Sequence, residues 1–239
     1  MILTLDIGNT RSKFALFDGS DIVCHLPVSH ERTLSTLSDF FSRHRTISAV
    51  HWCSVGVEIE GFESALAAMS VPVRRLLPAS PPSGITVAYL TPDTLGADRL
   101  AAVLGARSLC PDRHLLVIDA GTCITFDLLL ADGRYMGGNI SPGLAMRLEA
   151  MHRLTARLPL VNADGETPLM GQTTETALRS GATLGIVYEI EGYIRRLQAE
   201  YGDICVFLTG GNRFDFRISS ESCIFADDFL VLRGLAALG

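Results

Sequence analysis

Two short segments combine a carboxylate, a glycine and a hydroxyl in the same order. The first is Asp6-Ile7-Gly8-Asn9-Thr10 and the second is Asp119-Ala120-Gly121-Thr122, and each follows an apolar run. In such a turn the glycine lets backbone amides approach phosphate oxygens, and the hydroxyl donates a hydrogen bond to them. The carboxylate can hold a metal ion or its water shell. One copy would be explained equally well as a hairpin turn, but two copies favour a nucleotide-phosphate site.

A second kind of candidate is Gly96-Ala97-Asp98-Arg99, at the predicted start of a helix. Helix N-termini favour anions because of their free amides and the helix dipole. A kinase also needs a group that orients and deprotonates the attacking hydroxyl. Asp98 is the best placed carboxylate outside the two phosphate turns. In isolation, Asp98 would be explained as an N-cap or first-turn acid and Arg99 as a surface cation.

Three further segments have residue types suited to a ligand wall. Gly137 to Gly143 is a glycine-dense turn between a strand and a helix, and Thr209-Gly210-Gly211 follows an apolar strand. Glycines there would permit close approach of a ligand or simply make tight turns. Thr174 is either a helix N-cap or a hydroxyl donor to substrate, and the sequence leaves both open. The chain has neither a Walker P-loop nor a GxGxxG motif that opens a helix after a strand.

The elements that carry the two phosphate turns form a repeat. In each copy an apolar strand, the turn, a second strand, an Asp-Gly hairpin and a third strand follow one another. The hairpins are Asp18-Gly19 and Asp132-Gly133, and the two copies are 113 positions apart, from Asp6 to Asp119. This order indicates an internal duplication.

Helical and strand patterns alternate through the rest of the chain, which predicts an α/β fold. The predicted helices and strands cover residues 34–44, 47–55, 62–69, 71–77, 95–109, 144–154, 174–201, 204–208 and 229–238. Pro111-Asp112 suggests a boundary between two lobes, 1–110 and 111–239. The closing helix is a candidate to pack back on the first lobe.

Composition narrows the class of protein. Of the 239 residues, 48% are hydrophobic and 19% are charged, as in globular proteins. The net charge of -6 argues against nucleic acid as the main partner. No apolar segment approaches the roughly 20 residues that cross a bilayer, and we expect no secretory signal. The 6 cysteines form no CxxC pair, which fits a reducing cytoplasm.

Together and in this order, the motifs closely resemble those of type III pantothenate kinases. That family belongs to the superfamily of acetate and sugar kinases, heat-shock chaperone ATPases and actin. The resemblance implies two ribonuclease H-like lobes with a duplicated core and an interlobe active-site cleft. It also implies ATP-dependent phosphorylation of pantothenate to 4'-phosphopantothenate, the first step of coenzyme A biosynthesis. A homodimer, Mg²⁺ with ATP, and a monovalent cation, K⁺ or NH₄⁺, are further implications.

The resemblance also implies roles for individual positions. Asp98 would be the proton acceptor, Asp6 would organise magnesium through water, and Asp119 would hold the monovalent cation. The residues implied to bind ATP are Asp6, Ile7, Gly8, Asn9, Thr10, Arg11, Ser12, Lys13 and Thr122. Those implied to bind pantothenate are Tyr89, Gly96, Ala97, Asp98, Arg99 and Thr174.

One departure from the family pattern lies beside Thr174, where Gln172-Thr173 stands in place of the frequent Lys-Asn. Two alternative functions are another small-molecule kinase of the superfamily and a non-catalytic ATP-binding regulator. The Gly96 to Arg99 context favours pantothenate through the resemblance. Retention of Asp98 and Asp119, together with the acidic net charge, counts against a regulator.

Overall fold

Apolar runs in the first third of the chain pair into one mixed sheet. Its strands are β1 (Ile2–Ile7), β2 (Ser12–Asp18), β3 (Asp21–Val28), β4 (Ala49–Ser54) and β5 (Val73–Arg75). They lie in the order β3-β2-β1-β4-β5, with β1 antiparallel to β2 and parallel to β4. Because β1 is central, both faces of the strand are covered, as its near-continuous apolar run requires. The computed structural model describes residues 1–211 and 224–238.

Helices complete the core around this sheet. They are α1 (Thr33–Arg43), α2 (Phe62–Ala67) and α3 (Ala97–Leu109). Phe40 of α1 stacks on Phe14 of β2, and Phe62 of α2 meets the ring of Trp52 edge to face. These aromatic contacts sit within a buried cluster that includes Leu3 and Leu5 of β1. The predicted helix 62–69 and strand 71–77 are both present but shorter than expected, since the helix ends at Ala67 and the strand covers only 73–75.

The strands of the second copy, with one short strand from the loop before α3, form another sheet. They are β6 (Thr86–Val87), β7 (His114–Ala120), β8 (Cys123–Leu129), β9 (Arg134–Pro142), β10 (Ile204–Thr209) and β11 (Ile224–Ala226). The order is β11-β10-β7-β8-β9-β6, with β10 parallel to both β7 and β11. Asp6 in β1 and Asp119 in β7 are each the second-last residue of their strand. The duplicated strand order predicted from the sequence is confirmed.

Three further helices are α4 (Leu144–Arg153), α5 (Thr174–Tyr201) and α6 (Leu230–Ala236). α6 packs on α3, β1 and β4. A methyl group on Gly105 would lie 2.0 Å from Leu230 O, and one on Gly234 would lie 1.8 Å from Ala101 O. The crossing of α3 and α6 therefore depends on glycine, because the two backbones approach too closely for a side chain.

The described chain divides into two compact units. The first comprises Met1–Asp112, Leu129–Gly137 and the closing segment from Phe229, and the second comprises Arg113–Leu128 and the described part of 138–228. In the part of the chain that the structure describes, no helix has both the length and the apolar character to cross a membrane.

Candidate active site

Asp6 is a buried carboxylate at the end of the central strand of the first unit. The strand register pairs it with Lys13 on one side and Cys53 on the other. Its Oδ2 lies 3.6 Å from Lys13 Nζ, and its Oδ1 accepts from Cys53 Sγ at 3.7 Å. The side chain of Asp6 is 4% exposed whereas that of Lys13 is 52% exposed. Lys13 can therefore extend its charge to a ligand while Asp6 stays fixed beneath it.

Burial shapes the titration of Asp6. Loss of hydration is the largest cause that raises its pKa, the negative charge of Asp98 adds a smaller rise, and the net change is from 3.8 to about 6. The ammonium of Lys13 and the thiol of Cys53 oppose these effects in part. The pKa of Cys53 itself is raised, first by burial and then by the charges of Asp6 and Asp98. Cys53 therefore acts as a thiol donor, and Asp6 and Asp98 share one electrostatic environment.

The phosphate turn between β1 and β2 is closed by one backbone hydrogen bond, from Gly8 N to Arg11 O at 3.1 Å. Its tip, residues 9–11, is exposed, while Ile7 and Ser12 at its ends are buried. Two side chains outside the turn contact its ends. His30 Nε2 is 3.0 Å from Gly8 O, and Thr33 Oγ1 is 2.7 Å from Ser12 Oγ.

Asp98 lies in the first turn of α3, two residues after the N-cap Gly96. Residues 92–94 form a short 3₁₀ turn and Leu95 remains extended. The helix therefore begins at Ala97 rather than at the expected Leu95. Asp98 Oδ1 accepts from Arg99 N at 2.9 Å. A methyl group on Gly96 would lie 2.4 Å from that oxygen, so glycine leaves the space that the carboxylate occupies.

Other side chains around this helix start are buried to different degrees. Ala97 and Arg99 are buried, and Asp98 is partly accessible.

Tyr89, also partly buried, lies against Gly137, where a methyl group would be 3.2 Å from Tyr89 Cδ2. Gly137 has φ +103°, a conformation suited to glycine. It therefore gives Tyr89 a flat backbone surface on which its ring rests.

In the second unit, glycines surround the turn that follows β7. A methyl group on Gly210 would lie 2.5 Å from Asp119 Oδ1, and one on Gly143 would lie 2.4 Å from Thr122 O. Gly143 N also donates to Thr122 O at 3.1 Å. One glycine of each segment, Gly143 of 137–143 and Gly210 of 209–211, thus packs directly on the Asp119 to Thr122 turn. These contacts show that Gly143 and Gly210 belong to the same local site.

Thr174 is the first residue of α5, and it is exposed. The N-cap is Thr173, whose side chain accepts from Thr176 N at 3.1 Å in a reciprocal capping box. The N-cap alternative for Thr174 is therefore wrong. Its hydroxyl is not used by the cap, which leaves the alternative of a contact with substrate.

Comparison with known proteins gives the family. Residues 2–196 match the family model described as type III pantothenate kinase. The type III pantothenate kinase of Bacteroides fragilis is 46% identical over 237 residues, which cover 98% of this chain and 96% of the relative. That of Flavobacterium johnsoniae is 36% identical, with 99% and 96% covered. The chain belongs to the type III pantothenate kinase family.

Membership of the type III pantothenate kinase family makes this protein an enzyme. It is a kinase that transfers a phosphoryl group from ATP to pantothenate, as the motif resemblance implied. ATP and pantothenate are its substrates, and a kinase of this kind uses ATP together with a divalent metal. The family and function predicted from the sequence are confirmed.

Solved structures share the fold of this pantothenate kinase at low identity. One from Campylobacter jejuni, described as a candidate Baf family transcriptional activator, has a TM-score of 0.60 at 22% identity, with 99% of this chain and 96% of that one covered. A ROK family protein from Streptococcus pneumoniae in complex with sucrose has a TM-score of 0.54 at 16% identity, with 99% and 97% covered. These likenesses show the fold alone. They confirm the α/β class with two ribonuclease H-like lobes.

The carboxylates of the kinase fit a metal ion that arrives with the nucleotide. Among the described residues, no group of three or more His, Cys, Asp or Glu side chains could hold a metal ion. Asp6 and Asp119 each stand as a single carboxylate at the end of a strand. Magnesium keeps several waters and takes oxygen ligands from substrate phosphates. One carboxylate in each turn is therefore compatible with a nucleotide-borne ion.

Three residues of this site were missed by sequence reasoning. Cys53 contacts Asp6, and His30 and Thr33 contact the phosphate turn. Cys53 is brought to Asp6 by the parallel register of β1 and β4, which no local motif encodes. The only available signal for His30 and Thr33 was their position just before a predicted helix.

Proposed function

We propose that Asp98 is the general base of the pantothenate kinase reaction. The observation that carries the proposal is the difference between two neighbouring carboxylates. Asp6 is buried and accepts a hydrogen bond from Cys53, whereas Asp98 is partly accessible at the start of a helix. A substrate hydroxyl can reach Asp98 but not Asp6. Two carboxylates in different environments suit two different roles.

Asp98 would accept the proton of the primary hydroxyl of pantothenate as that oxygen attacks the γ-phosphorus of ATP. Its Oδ1 already accepts from Arg99 N, which orients the carboxylate. The pKa of Asp6 is raised mainly by burial and in smaller part by the negative charge of Asp98. A bound cation would offset that charge.

The phosphate turn from Asp6 to Lys13 would hold the phosphates of ATP. Its exposed tip presents backbone amides and the Thr10 hydroxyl, and the half-exposed ammonium of Lys13 supplies positive charge. Thr122 would also touch the nucleotide. The close packing of Gly143 on Thr122 supports this assignment, because it fixes the backbone that carries the hydroxyl.

Two cations complete the proposed chemistry. Magnesium would be organised by Asp6 through water, and when bound with ATP it would neutralise charge on the transferring phosphoryl group. A monovalent cation, K⁺ or NH₄⁺, would be held by Asp119. Its Oδ1 lies beside Gly210 and Gly121, where the absence of side chains leaves the carboxylate uncovered by a neighbouring Cβ.

The pantothenate pocket would be formed by Tyr89, Thr174 and the segment Gly96 to Arg99. Pantothenate carries a carboxylate, and Arg99 contributes a positive charge on a buried side chain. The ring of Tyr89, fixed on Gly137, would supply an apolar wall. The hydroxyl of Thr174, free from the helix cap, would donate to a polar group of the substrate.

A homodimer is also part of the proposal. Large apolar side chains of the second unit are exposed to solvent, and they include Ile140, Leu154, Leu160, Leu169, Met170 and Tyr188. Leu154 is 84% exposed and Met170 is 78% exposed. Where such side chains form a contiguous patch, the patch is typical of an association site. Light scattering coupled to size exclusion should give twice the chain mass, and a monomeric mass would contradict the dimer.

The experiment that tests the proposed function is a coupled ADP-release assay with purified protein, ATP, Mg²⁺ and pantothenate. It should be run with K⁺, with NH₄⁺ and with neither. ADP release should require pantothenate and should rise with the monovalent cation. Equal ADP release with and without pantothenate would contradict pantothenate as the substrate. Equal release with and without K⁺ or NH₄⁺ would contradict the role of Asp119.

A further inference from the structure

We propose that the segment His30–Thr33 holds the phosphate turn at two points, which makes His30 a positioning residue for ATP. The inference rests on the proposed role of the Asp6 to Lys13 turn in binding phosphates. The segment consists of a short 3₁₀ turn, His30–Arg32, and the first residue of α1. It carries no residue that the family resemblance assigned to the site.

The first point of attachment is the carbonyl of Gly8. His30 Nε2 lies 3.0 Å from Gly8 O. A carbonyl oxygen only accepts, so the ring nitrogen that faces it must carry the hydrogen. The amide of the same glycine donates back across the turn to Arg11 O at 3.1 Å. Both backbone groups of Gly8 are therefore used, and its peptide orientation is fixed from within the turn and from outside it.

The second point is the hydroxyl of Ser12. Ser12 Oγ and Thr33 Oγ1 are 2.7 Å apart, and both side chains are fully buried. Ser12 directly precedes Lys13, whose ammonium lies 3.6 Å from Asp6 Oδ2. A fixed Ser12 therefore also fixes the start of the Lys13 side chain. Thr33 begins α1, which is anchored in the core by Leu37 and Phe40.

The two bonds flank the part of the turn that is exposed. Gly8 and Ser12 enclose residues 9–11, and these three residues are exposed to solvent. Donors that are already oriented before a phosphate arrives bind it with less loss of conformational entropy. The hydrogen bonds from His30 and Thr33 thus explain how an exposed, glycine-containing turn can present its amides in a fixed arrangement.

The test compares His30→Ala with His30→Gln in the full-length kinase. His30→Ala should weaken binding of a non-hydrolysable ATP analogue with Mg²⁺, measured by calorimetry, by about 2- to 12-fold, the factor that one hydrogen bond is worth. KM for ATP should rise by the same factor while KM for pantothenate stays unchanged. His30→Gln keeps an N–H donor at a similar reach and should recover most of the loss.

His152→Ala is the matched control, because His152 Nδ1 makes the same kind of bond, 2.8 Å to Leu158 O, in the second unit. It should leave affinity for the analogue at the wild-type value. Unchanged affinity in His30→Ala would overturn the inference, and so would equal losses in the Ala and Gln variants. Calorimetry measures ATP binding without turnover, so it tests the role of His30 separately from the reaction. A wild-type protein that binds ATP but does not phosphorylate pantothenate would contradict the proposed function instead.

Discussion

A methyl group on Gly96 would lie 2.4 Å from Oδ1 of Asp98. Gly96 has φ -57°, so alanine would meet no backbone strain there. The closest clash of the new methyl group in Gly96→Ala is therefore with the Asp98 carboxylate. If Asp98 is the base, its displacement should lower kcat by about 10- to 100-fold, as misplacement of a catalytic group by about 1 Å does. KM for ATP should change little.

The coupled ADP-release assay measures this effect, and Gly192→Ala serves as its control. Among the described residues, a methyl group on Gly192 in α5 would have no heavy atom within 4 Å apart from its own stretch of helix. That variant should keep the wild-type kcat. A wild-type kcat in Gly96→Ala would show that the position of the Asp98 carboxylate does not matter for turnover.

Asp6 should make stability depend on pH. Its pKa rises from 3.8 to about 6 on folding, so between these values the folded state binds more protons than the unfolded state. Stability then falls as pH rises through this window, and the full cost of about 3 kcal/mol is present above pH 6. Asp6→Asn removes the cost. The variant should therefore gain stability relative to wild type as pH rises from about 4 to 7, while its activity is lost.

Urea unfolding of both proteins at several pH values checks this prediction. The difference in unfolding free energy should grow in favour of Asp6→Asn up to about pH 7 and level off there. A difference that is independent of pH would mean that the carboxylate is not held in a desolvated environment.

Asp119 should control the response to monovalent cations. Substitution to Asn keeps the size of the side chain but removes the charge that would hold K⁺. Asp119→Asn should therefore abolish the rise of ADP release between zero and saturating KCl and leave a low, cation-independent rate. A KCl titration with the ionic strength balanced by a bulky organic salt measures the response. A wild-type KCl response in the variant would remove Asp119 from the cation site.

Gly234 should be needed for the packing of α6 on α3. A methyl group there would lie 1.8 Å from Ala101 O, a backbone atom that cannot move aside by itself. Gly234→Ala should lower the free energy of unfolding by roughly 3 kcal/mol, at the upper end of the cost of overpacking. Urea unfolding measures the loss, with Gly192→Ala again as control. Equal stability of the two variants would contradict the close crossing of these helices.

The parts of the fold that were predicted from sequence are those with a local signature. The duplicated turns at Asp6 and Asp119, the Asp18-Gly19 hairpin and the long helix from Thr174 all follow from short-range residue patterns. Element boundaries were less well predicted. The helix expected from Leu95 begins at Ala97, because Leu95 and Gly96 keep extended backbone after the 3₁₀ turn.

The parts that were not predicted depend on contacts between residues far apart in the chain. Cys53 reaches Asp6 only through the parallel register of β1 and β4, and the sequence of either strand does not specify that register. His30 reaches Gly8 because a loop of 3₁₀ geometry folds back beside the phosphate turn. The cap of α5 shows a local limit as well, since Thr173 and Thr174 are chemically equivalent and backbone geometry decides between them.

The most direct test of the account is Asp98→Asn, with turnover and ATP binding measured on the same preparation. A positioned general base contributes about 10² to 10⁴ in rate. Pantothenate-dependent turnover should therefore fall by about that factor, while calorimetric affinity for a non-hydrolysable ATP analogue with Mg²⁺ stays close to wild type. Near-normal turnover in Asp98→Asn would contradict the assignment of Asp98 as the proton acceptor.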